Sequence, residues 1–515
     1  MAGAVTFRRF PTKQAVKPDW AFPMTDMSSG PSSPARTPER RDGVLHADLC
    51  VIGAGSGGLS VAAGAAQMGA SVVLVEKHLM GGDCLNTGCV PSKALLAAAH
   101  AADAVRHSGR FGVNGHEPVV DFAAVHRHVH GVIAVIAPHD SVARFEGLGV
   151  TVIKAAAHFT GPAEVEAGGV RIRARRFVVA TGSSAALPPI PGLLDVPHLT
   201  NESIFDLTAL PGHLVVIGGG PIGVEMAQAF RRLGAEVTLL ERAAILPKDE
   251  PEAVAVIRAA LLRDGIALRE SARIAAIRRA ANGVEVDLEG PDGPIVIHGT
   301  HLLIAAGRKP NTAGLGLEAA GIAVTPRGIT VDARLRTTNR SVFAIGDVAG
   351  GPQFTHIAGY HAGLVIRNAL FGLPAKVDYA ALPWVTYADP ELAHVGLTEA
   401  EAREAGHDVT LLTQDLGGND RAQAERATEG LIKVVLGKRG RILGATIVAP
   451  RAGEMIGLWG LAIQKRLKIG AIAASLAPYP TMSEISKRAA GGFYTPSLFG
   501  PRTRRLVGLI QRFLP

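Results

Sequence analysis

Two cysteines five positions apart, Cys84 and Cys89, sit in the run Gly81-Gly82-Asp83-Cys84-Leu85-Asn86-Thr87-Gly88-Cys89-Val90-Pro91-Ser92-Lys93. A thiolate attacks disulfides and binds soft metals. A helix start lowers a thiol pKa, because the helix dipole stabilises the anion. The pair therefore points to redox or soft-metal chemistry. A structural zinc site is a weak reading, since no second cysteine pair supplies the remaining ligands. Cys50, the third cysteine, lies within an apolar run and reads as a buried small hydrophobe.

Two glycine-rich turns offer a second kind of chemistry. The first is Gly53-Ala54-Gly55-Ser56-Gly57-Gly58. Gly53 permits a tight turn, Gly55 lets a pyrophosphate approach the backbone, and Gly58 lets helix and strand pack closely. The helix N-terminus beyond them attracts phosphate. Glu76, about twenty residues on, is placed to accept a hydrogen bond from a ribose hydroxyl. Gly218-Gly219-Gly220-Pro221-Ile222-Gly223 repeats the design, with Gly218, Gly220 and Gly223 in the three roles and Glu241 as the acid. A carboxylate at Glu241 favours NADH and repels a 2′-phosphate. The neighbouring Arg242 leaves NADPH as the alternative.

The elements needed to position these residues are present around them. Ala47 to Ile52 reads as a buried strand, an Ala-rich helical stretch runs to Met68, and Ser71 to Val75 reads as a second strand. Leu214 to Ile217, Val224 to Leu233 and Glu236 to Leu240 repeat that β-α-β order. Two mononucleotide folds in one chain imply two bound nucleotides. Further strands end at Ala180-Thr181-Gly182-Ser183, at Ala305-Ala306-Gly307 and at Gly346-Asp347. From about Val377 strand-like runs such as Gly430 to Leu436 and Ile442 to Val448 alternate with helices, as in a separate α+β domain.

The run CLNTGCVPSK resembles the redox-active disulfide of the FAD-dependent pyridine nucleotide-disulfide oxidoreductases. That family includes glutathione reductase, dihydrolipoamide dehydrogenase and mercuric reductase. The landmarks stand in the family's order from Asp48 to Glu484. The resemblance implies an α/β fold with two Rossmann-like domains, for FAD and NAD(P), and a C-terminal α+β dimerisation domain. It implies that Cys84 and Cys89 form the disulfide, with Cys89 beside the flavin and Cys84 facing the acceptor. By the same resemblance Lys93 lies near the flavin and pairs with Glu225. Ala157, Thr181, Gly182, Ser183, Gly346 and Asp347 join the first glycine loop in holding FAD, and Gly307 joins the second in holding the nicotinamide. A homodimer follows, each site completed by the partner.

One departure bears on the acceptor. Dithiol-handling members carry a His before Pro-Thr near the C-terminus, acting with a Glu. Here the segment is Pro478-Tyr479-Pro480-Thr481-Met482-Ser483-Glu484. Tyr479 takes the His position and Glu484 remains. A phenol titrates near pH 10 and is a poor base at neutrality. Tyr at this place resembles members grouped with mercuric reductase, as does the stretch Ile136-Ala137-Pro138-His139-Asp140-Ser141. A C-terminal cysteine pair and an N-terminal CxxC domain of those members are absent from this sequence. The reading is an NAD(P)H oxidoreductase that delivers electrons to a soft metal ion or another small acceptor, with Cys84 and Cys89 as possible ligands of a substrate metal. Dihydrolipoamide dehydrogenase is the alternative enzyme. A flavin-binding redox sensor without turnover is the alternative of another class.

Composition narrows the rest. The chain has 515 residues, 47% hydrophobic and 19% charged, with net charge +8. Aromatics at 5% and dispersed basic residues argue against a nucleic-acid platform. Three cysteines do not make a secreted disulfide scaffold. No apolar segment follows Arg8 and Arg9, and no apolar run reaches the ~20 residues of a membrane span. A cytoplasmic protein is expected. The expected divisions are a disordered leader (1–46), an FAD domain in two parts (47–185 and 312–372), an NAD(P) domain (186–311), a dimerisation domain (373–490) and an amphipathic tail (491–515). In the tail Leu506, Leu509, Ile510 and Phe513 stand at helical spacing. His126, His128 and His130 read as an exposed helix face, with a metal site on His126 and His130 as the lesser reading.

Overall fold

The computed structural model describes residues 36–290 and 293–514. Its first sheet is built on the strand Val44–Ile52, which lies between Val72–Val75 and Val170–Val179, parallel to both. Thr151–Ile153 and Val342–Ala344 extend the parallel set at its two sides. Strands covered on both faces read as continuous apolar runs, and Val72–Val75 (VVLV) is buried throughout. Helix Ser56–Gln67 covers one face and packs its small residues on helix Thr355–Ala369, where Ala62 and Ala65 are fully buried. The chain leaves this sheet, builds a second unit, and returns to insert Val342–Ala344 beside Val170–Val179.

The second unit repeats the plan on a smaller scale. His213–Ile217 is flanked in parallel by Glu236–Leu240 and His301–Ile304, and Ala267–Arg269 lies at the edge. Helix Pro221–Arg232 follows the second glycine turn and is buried over most of its length. The third unit is a five-stranded antiparallel sheet. Its order is Pro383–Thr386, Glu391–Gly396, Arg441–Ala449, Leu431–Gly437, Thr410–Asp415. Helices Ala452–Gln464 and Glu484–Gly492 cover it, with Trp459 fully buried between them and its indole N–H donating to Ser486.

Buried ion pairs pin the second unit to the third. Lys433, 4% exposed, meets Glu250 at 2.9 Å, Glu252 at 3.0 Å and Glu399 at 2.8 Å. Arg232 meets Asp264 at 2.8 Å and Asp389 at 2.6 Å. A buried charge survives only when paired, so removing one partner costs more than the pair contributes. These clamps fix helix Pro221–Arg232 against the segment that carries Tyr387.

The predicted strands and helices appear with boundaries shifted by a few residues. The leader is corrected. Order begins before residue 47: Glu39–Arg41 pairs antiparallel with Val44–Ile52, and Arg36 donates to Asp48 at 3.0 Å. The short hairpin at Asp42-Gly43, both at positive φ, was hidden in a stretch without apolar periodicity. The remaining leader residues, 1–35, lie outside the described residues. The tail helix is present as Pro501–Ile510.

Candidate active site

The two glycine turns adopt the same local geometry. Gly53 has φ +106°, and a Cβ there would meet the Ala180 carbonyl oxygen at 2.4 Å. A Cβ on Gly58 would lie 1.9 Å from the Gly53 carbonyl oxygen. In the second turn Gly218 has φ +116° and its Cβ would meet Ala305 oxygen at 2.4 Å, while a Cβ on Gly223 would lie 1.8 Å from Gly218 oxygen. The acids also match. Ala54 N–H donates to Glu76 at 2.6 Å and His78 N–H at 2.7 Å. Gly219 N–H donates to Glu241 at 2.6 Å and Ala243 N–H at 2.9 Å. Each carboxylate thus braces its own loop, and a carboxylate retains further lone pairs for a ribose.

Both turns open on one cleft of about 2480 Å³. A single small-molecule pocket is roughly 300–1,000 Å³, so the cleft has room for two nucleotides. Gly53, Gly55, Glu76, Lys93, Ala157, Thr181, Gly182, Ser183, Gly346 and Asp347 line it, as do Gly218, Gly220, Glu241 and Gly307. Gly58 and Gly223 stand behind the turns, where their lack of a Cβ admits the turn itself.

Cys84 and Cys89 face the same cleft. They are free thiols, hydrogen-bonded to each other. Cys89 opens helix Cys89–Arg106, whose dipole favours an anion there. The Cys84 hydrogen bond, the Thr355 hydroxyl at 3.3 Å from its sulfur and the charge of Lys93 lower the Cys89 thiol to about 6, against the cost of burial. The bond with Cys89 and burial push the Cys84 thiol upward instead. The result is one thiolate and one thiol sharing a proton.

Lys93 Nζ lies 2.8 Å from Glu225 Oε2 and 4.2 Å from the centre of the Tyr387 ring. Tyr387 N–H donates to the other Glu225 oxygen at 3.0 Å. Glu225 is 5% exposed, so its charge is held by these two partners. Helix Cys89–Arg106, helix Pro221–Arg232 and Tyr387, the residue just after strand Pro383–Thr386, therefore converge on one ion pair. A second chain of contacts runs beneath the cysteines. Arg308 donates to Asp83 at 2.9 Å and to Ser183 Oγ at 2.7 Å, and Ser183 Oγ donates to Asp347 at 2.5 Å. Asn201 and Thr87 also donate to Asp83, at 2.9 and 2.7 Å. Burial raises the Asp347 carboxyl above its ordinary value.

Family models match the chain along most of its length. Residues 47–362 fit the pyridine nucleotide-disulphide oxidoreductase model and residues 382–490 fit that family's dimerisation domain. The chain belongs to the pyridine nucleotide-disulphide oxidoreductase family. It is 39% identical over 454 residues to a mercuric reductase of Streptomyces lividans, spanning 87% of this chain and 96% of that protein. It is 36% identical over 468 residues to a dihydrolipoyl dehydrogenase of Geobacillus stearothermophilus, spanning 87% and 96%. Among solved structures it resembles the HOCl-induced flavoprotein disulfide reductase RclA of Escherichia coli, solved as a Cu(II) complex. The TM-score is 0.77 at 29% identity, over 85% of this chain and 98% of that one. Members of the family are oxidoreductases that use FAD and NAD(P)H, and the α/β fold with a dimerisation domain is the family's.

The family's two cofactors fit the residues present. Gly55 faces the cleft with only Gly82 Cα, at 3.9 Å, near a would-be Cβ, and Gly220 has nothing within 4 Å. Both leave backbone room for a pyrophosphate at a helix N-terminus, Gly55 beneath the Gly81-Gly82 segment and Gly220 in the open. The structure does not bring Tyr479 or Glu484 to the cysteines of the same chain. Tyr479 is 69% exposed and its hydroxyl donates to Asp420 at 2.9 Å. Glu484 Oε1 accepts from Arg488 at 3.3 Å, while its Oε2 is buried without a partner. Asp83, Thr355 and Tyr387 were not singled out from sequence. Asp83 had a signal, as the acid beside Cys84; Thr355 and Tyr387 had none. Cys50 is fully buried, and burial pushes its thiol up to about 12. His126 and His130 stand ring to ring at 4.2 Å, and no cluster of three or more metal-ligand residues occurs among the described residues.

Proposed function

We propose that the enzyme takes electrons from NADH and delivers them, by way of Cys84 and Cys89, to a soft metal ion or another small acceptor that needs no proton shuttle. FAD would be held by Gly53, Gly55, Gly58, Glu76, Lys93, Ala157, Thr181, Gly182, Ser183, Gly346 and Asp347. NADH would be held by Gly218, Gly220, Gly223, Glu241 and Gly307. Bound there, the two cofactors supply hydride and two-electron chemistry. Lys93, braced by Glu225 and Tyr387, supplies positive charge where reduction accumulates electrons. Cys89 carries the thiolate and Cys84 offers a thiol to the acceptor.

The observation that carries the choice of acceptor is the hydrogen bond from Tyr479 to Asp420. That carboxylate holds the phenol above its ordinary value, so Tyr479 keeps its proton at neutral pH. Exchange with a dithiol substrate moves two protons along with two electrons and needs a group nearby that can take up and return a proton at neutral pH. Reducing a divalent soft cation to the neutral metal consumes two electrons and no proton. The likeness to mercuric reductase and to a flavoprotein solved with Cu(II) supports the same direction. The retained Glu484 and the likeness to dihydrolipoyl dehydrogenase favour the second reading, dihydrolipoamide oxidation.

We take the working molecule to be a homodimer. The match of residues 382–490 to the family's dimerisation domain supports this reading, as does the 69% exposure of Tyr479 within that domain. The division into an FAD domain in two parts, an NAD domain and a dimerisation domain is part of this proposal, as is a reducing, cytoplasmic setting. No helix among the described residues is long and apolar enough to cross a membrane. The test is an acceptor screen on FAD-loaded protein. Mercuric ion should accelerate NADH oxidation while dihydrolipoamide with NAD turns over poorly, and Tyr479→His should raise the latter. Fast dihydrolipoamide turnover by the unaltered enzyme, without response to mercuric ion, overturns the choice.

A further inference from the structure

After Glu484 the chain carries no acidic residue, but six basic ones: Lys487, Arg488, Arg502, Arg504, Arg505 and Arg512. Within this stretch helix Pro501–Ile510 has no buried residue at all. Leu506 is 55% exposed, Leu509 53%, Ile510 43% and Phe513 81%. The third unit's hydrophobic core stops short of it, at Phe493 and Tyr494.

At about 100° per residue, Leu506, Val507, Leu509 and Ile510 of the helix fall within an arc of roughly 160°, and Phe513 and Leu514 follow, exposed, beyond its end. Arg504 and Arg505 fall on the opposite arc, and Arg502 stands at the helix start on the apolar side. A surface helix of a globular protein turns such an apolar stripe onto its own core. This one turns it to solvent, with Leu498 and Phe499 exposed beside it.

We propose that this segment docks the enzyme on an anionic bilayer surface. An apolar face bounded by arginines is the pattern of a helix that lies in the interface, its leucines and phenylalanine among the acyl chains and its guanidinium groups at the phosphates. The helix is too short to span, since ten residues reach about 15 Å against a hydrocarbon core of ~30 Å. A second copy is the poorer occupant, because pairing tail against tail brings arginines together without acids to meet them. Nucleic acid would use the arginines and leave the apolar arc in water. The inference is independent of which acceptor the cysteines serve.

The test is co-sedimentation of the FAD-loaded full chain with vesicles of phosphatidylcholine alone or with phosphatidylglycerol added. Binding should favour the anionic vesicles by at least about tenfold and weaken with salt, since each arginine near such a surface is worth about fivefold in partition. Arg504→Ala with Arg505→Ala should cost roughly tenfold or more. Leu506→Glu with Ile510→Glu, or deletion of residues 501–515, should abolish binding while flavin content and the number of chains per molecule in solution stay unchanged. The proposal falls if the unaltered enzyme shows no preference for anionic vesicles, or if the glutamate pair binds them as well as before. It also falls if that pair lowers the solution mass without lipid, which would assign the apolar face to a second copy.

Discussion

The two nucleotide loops are near copies in backbone, in glycine placement and in the way an acid braces each turn, yet their surroundings differ. The first loop is roofed. Gly55 forms a bridge with Gly81, and a Cβ on Gly82 would come within 2.6 Å of Gly55 Cα. The segment just before Cys84 thus closes over the place where a pyrophosphate would lie. Gly220 of the second loop has nothing within 4 Å. One motif therefore serves two purposes, set by its neighbours. A roofed site suits a group that stays, and an open site suits one that arrives and leaves on every turnover.

The largest expected effects come from closing one loop at a time. Gly58→Ala should give protein with less than about a tenth of its flavin, because the added carbon strikes backbone. Gly223→Ala should keep the yellow colour and lose reduction by NADH. Absorbance at purification and rapid mixing with NADH check both, and exchange of the two phenotypes would reverse the assignment. Next is the ion pair that joins the halves. Lys93→Met should slow flavin reduction by about 10²-fold, a magnitude typical of one lost electrostatic contact in a site, with flavin content retained.

A smaller effect tests the roofed side alone. Cys89 is lowered to about 6, so the reduced enzyme should show its thiolate absorbance above that pH and lose it as acid protonates the sulfur. Lys93 holds the pKa down, and Lys93→Met should move the midpoint upward by about one unit. A spectroscopic titration reads both, and a midpoint unmoved would remove Lys93 from the thiolate's environment. The smallest change is expected at the open loop. Glu241→Gln should raise the KM for NADH about tenfold, the loss of a single charged hydrogen bond, and narrow the preference over NADPH. Glu76→Gln, under the roof, should leave flavin occupancy almost unaltered.

The parts legible in the sequence were those whose constraint is local. Gly53, Gly58, Gly218 and Gly223 are dictated by turns a few residues long, and the buried strands beside them announce themselves as apolar runs. The pairing of Lys93 with Glu225 was legible only through family resemblance, since 132 residues separate them. Thr355 meets Cys89 across 266 residues, and nothing in Gly351-Pro352-Gln353-Phe354-Thr355 marks it as a thiolate's partner. The Asp83–Arg308 contact spans 225 residues and depends on how the chain returns from the second unit. The early hairpin at Glu39–Arg41 escaped because its residues are exposed and carry no apolar alternation.

That return has a consequence for synthesis. Val342–Ala344 enters the first sheet beside Val170–Val179 only after the whole second unit has been made. During translation the later unit has all its strands first, from His213–Ile217 to His301–Ile304, while the earlier one waits with an unfilled edge. An incomplete parallel sheet is slow to close and prone to stray pairing. A nascent chain released near residue 320 should therefore fold its second unit and fail to retain flavin, although every residue of the first glycine loop is already present.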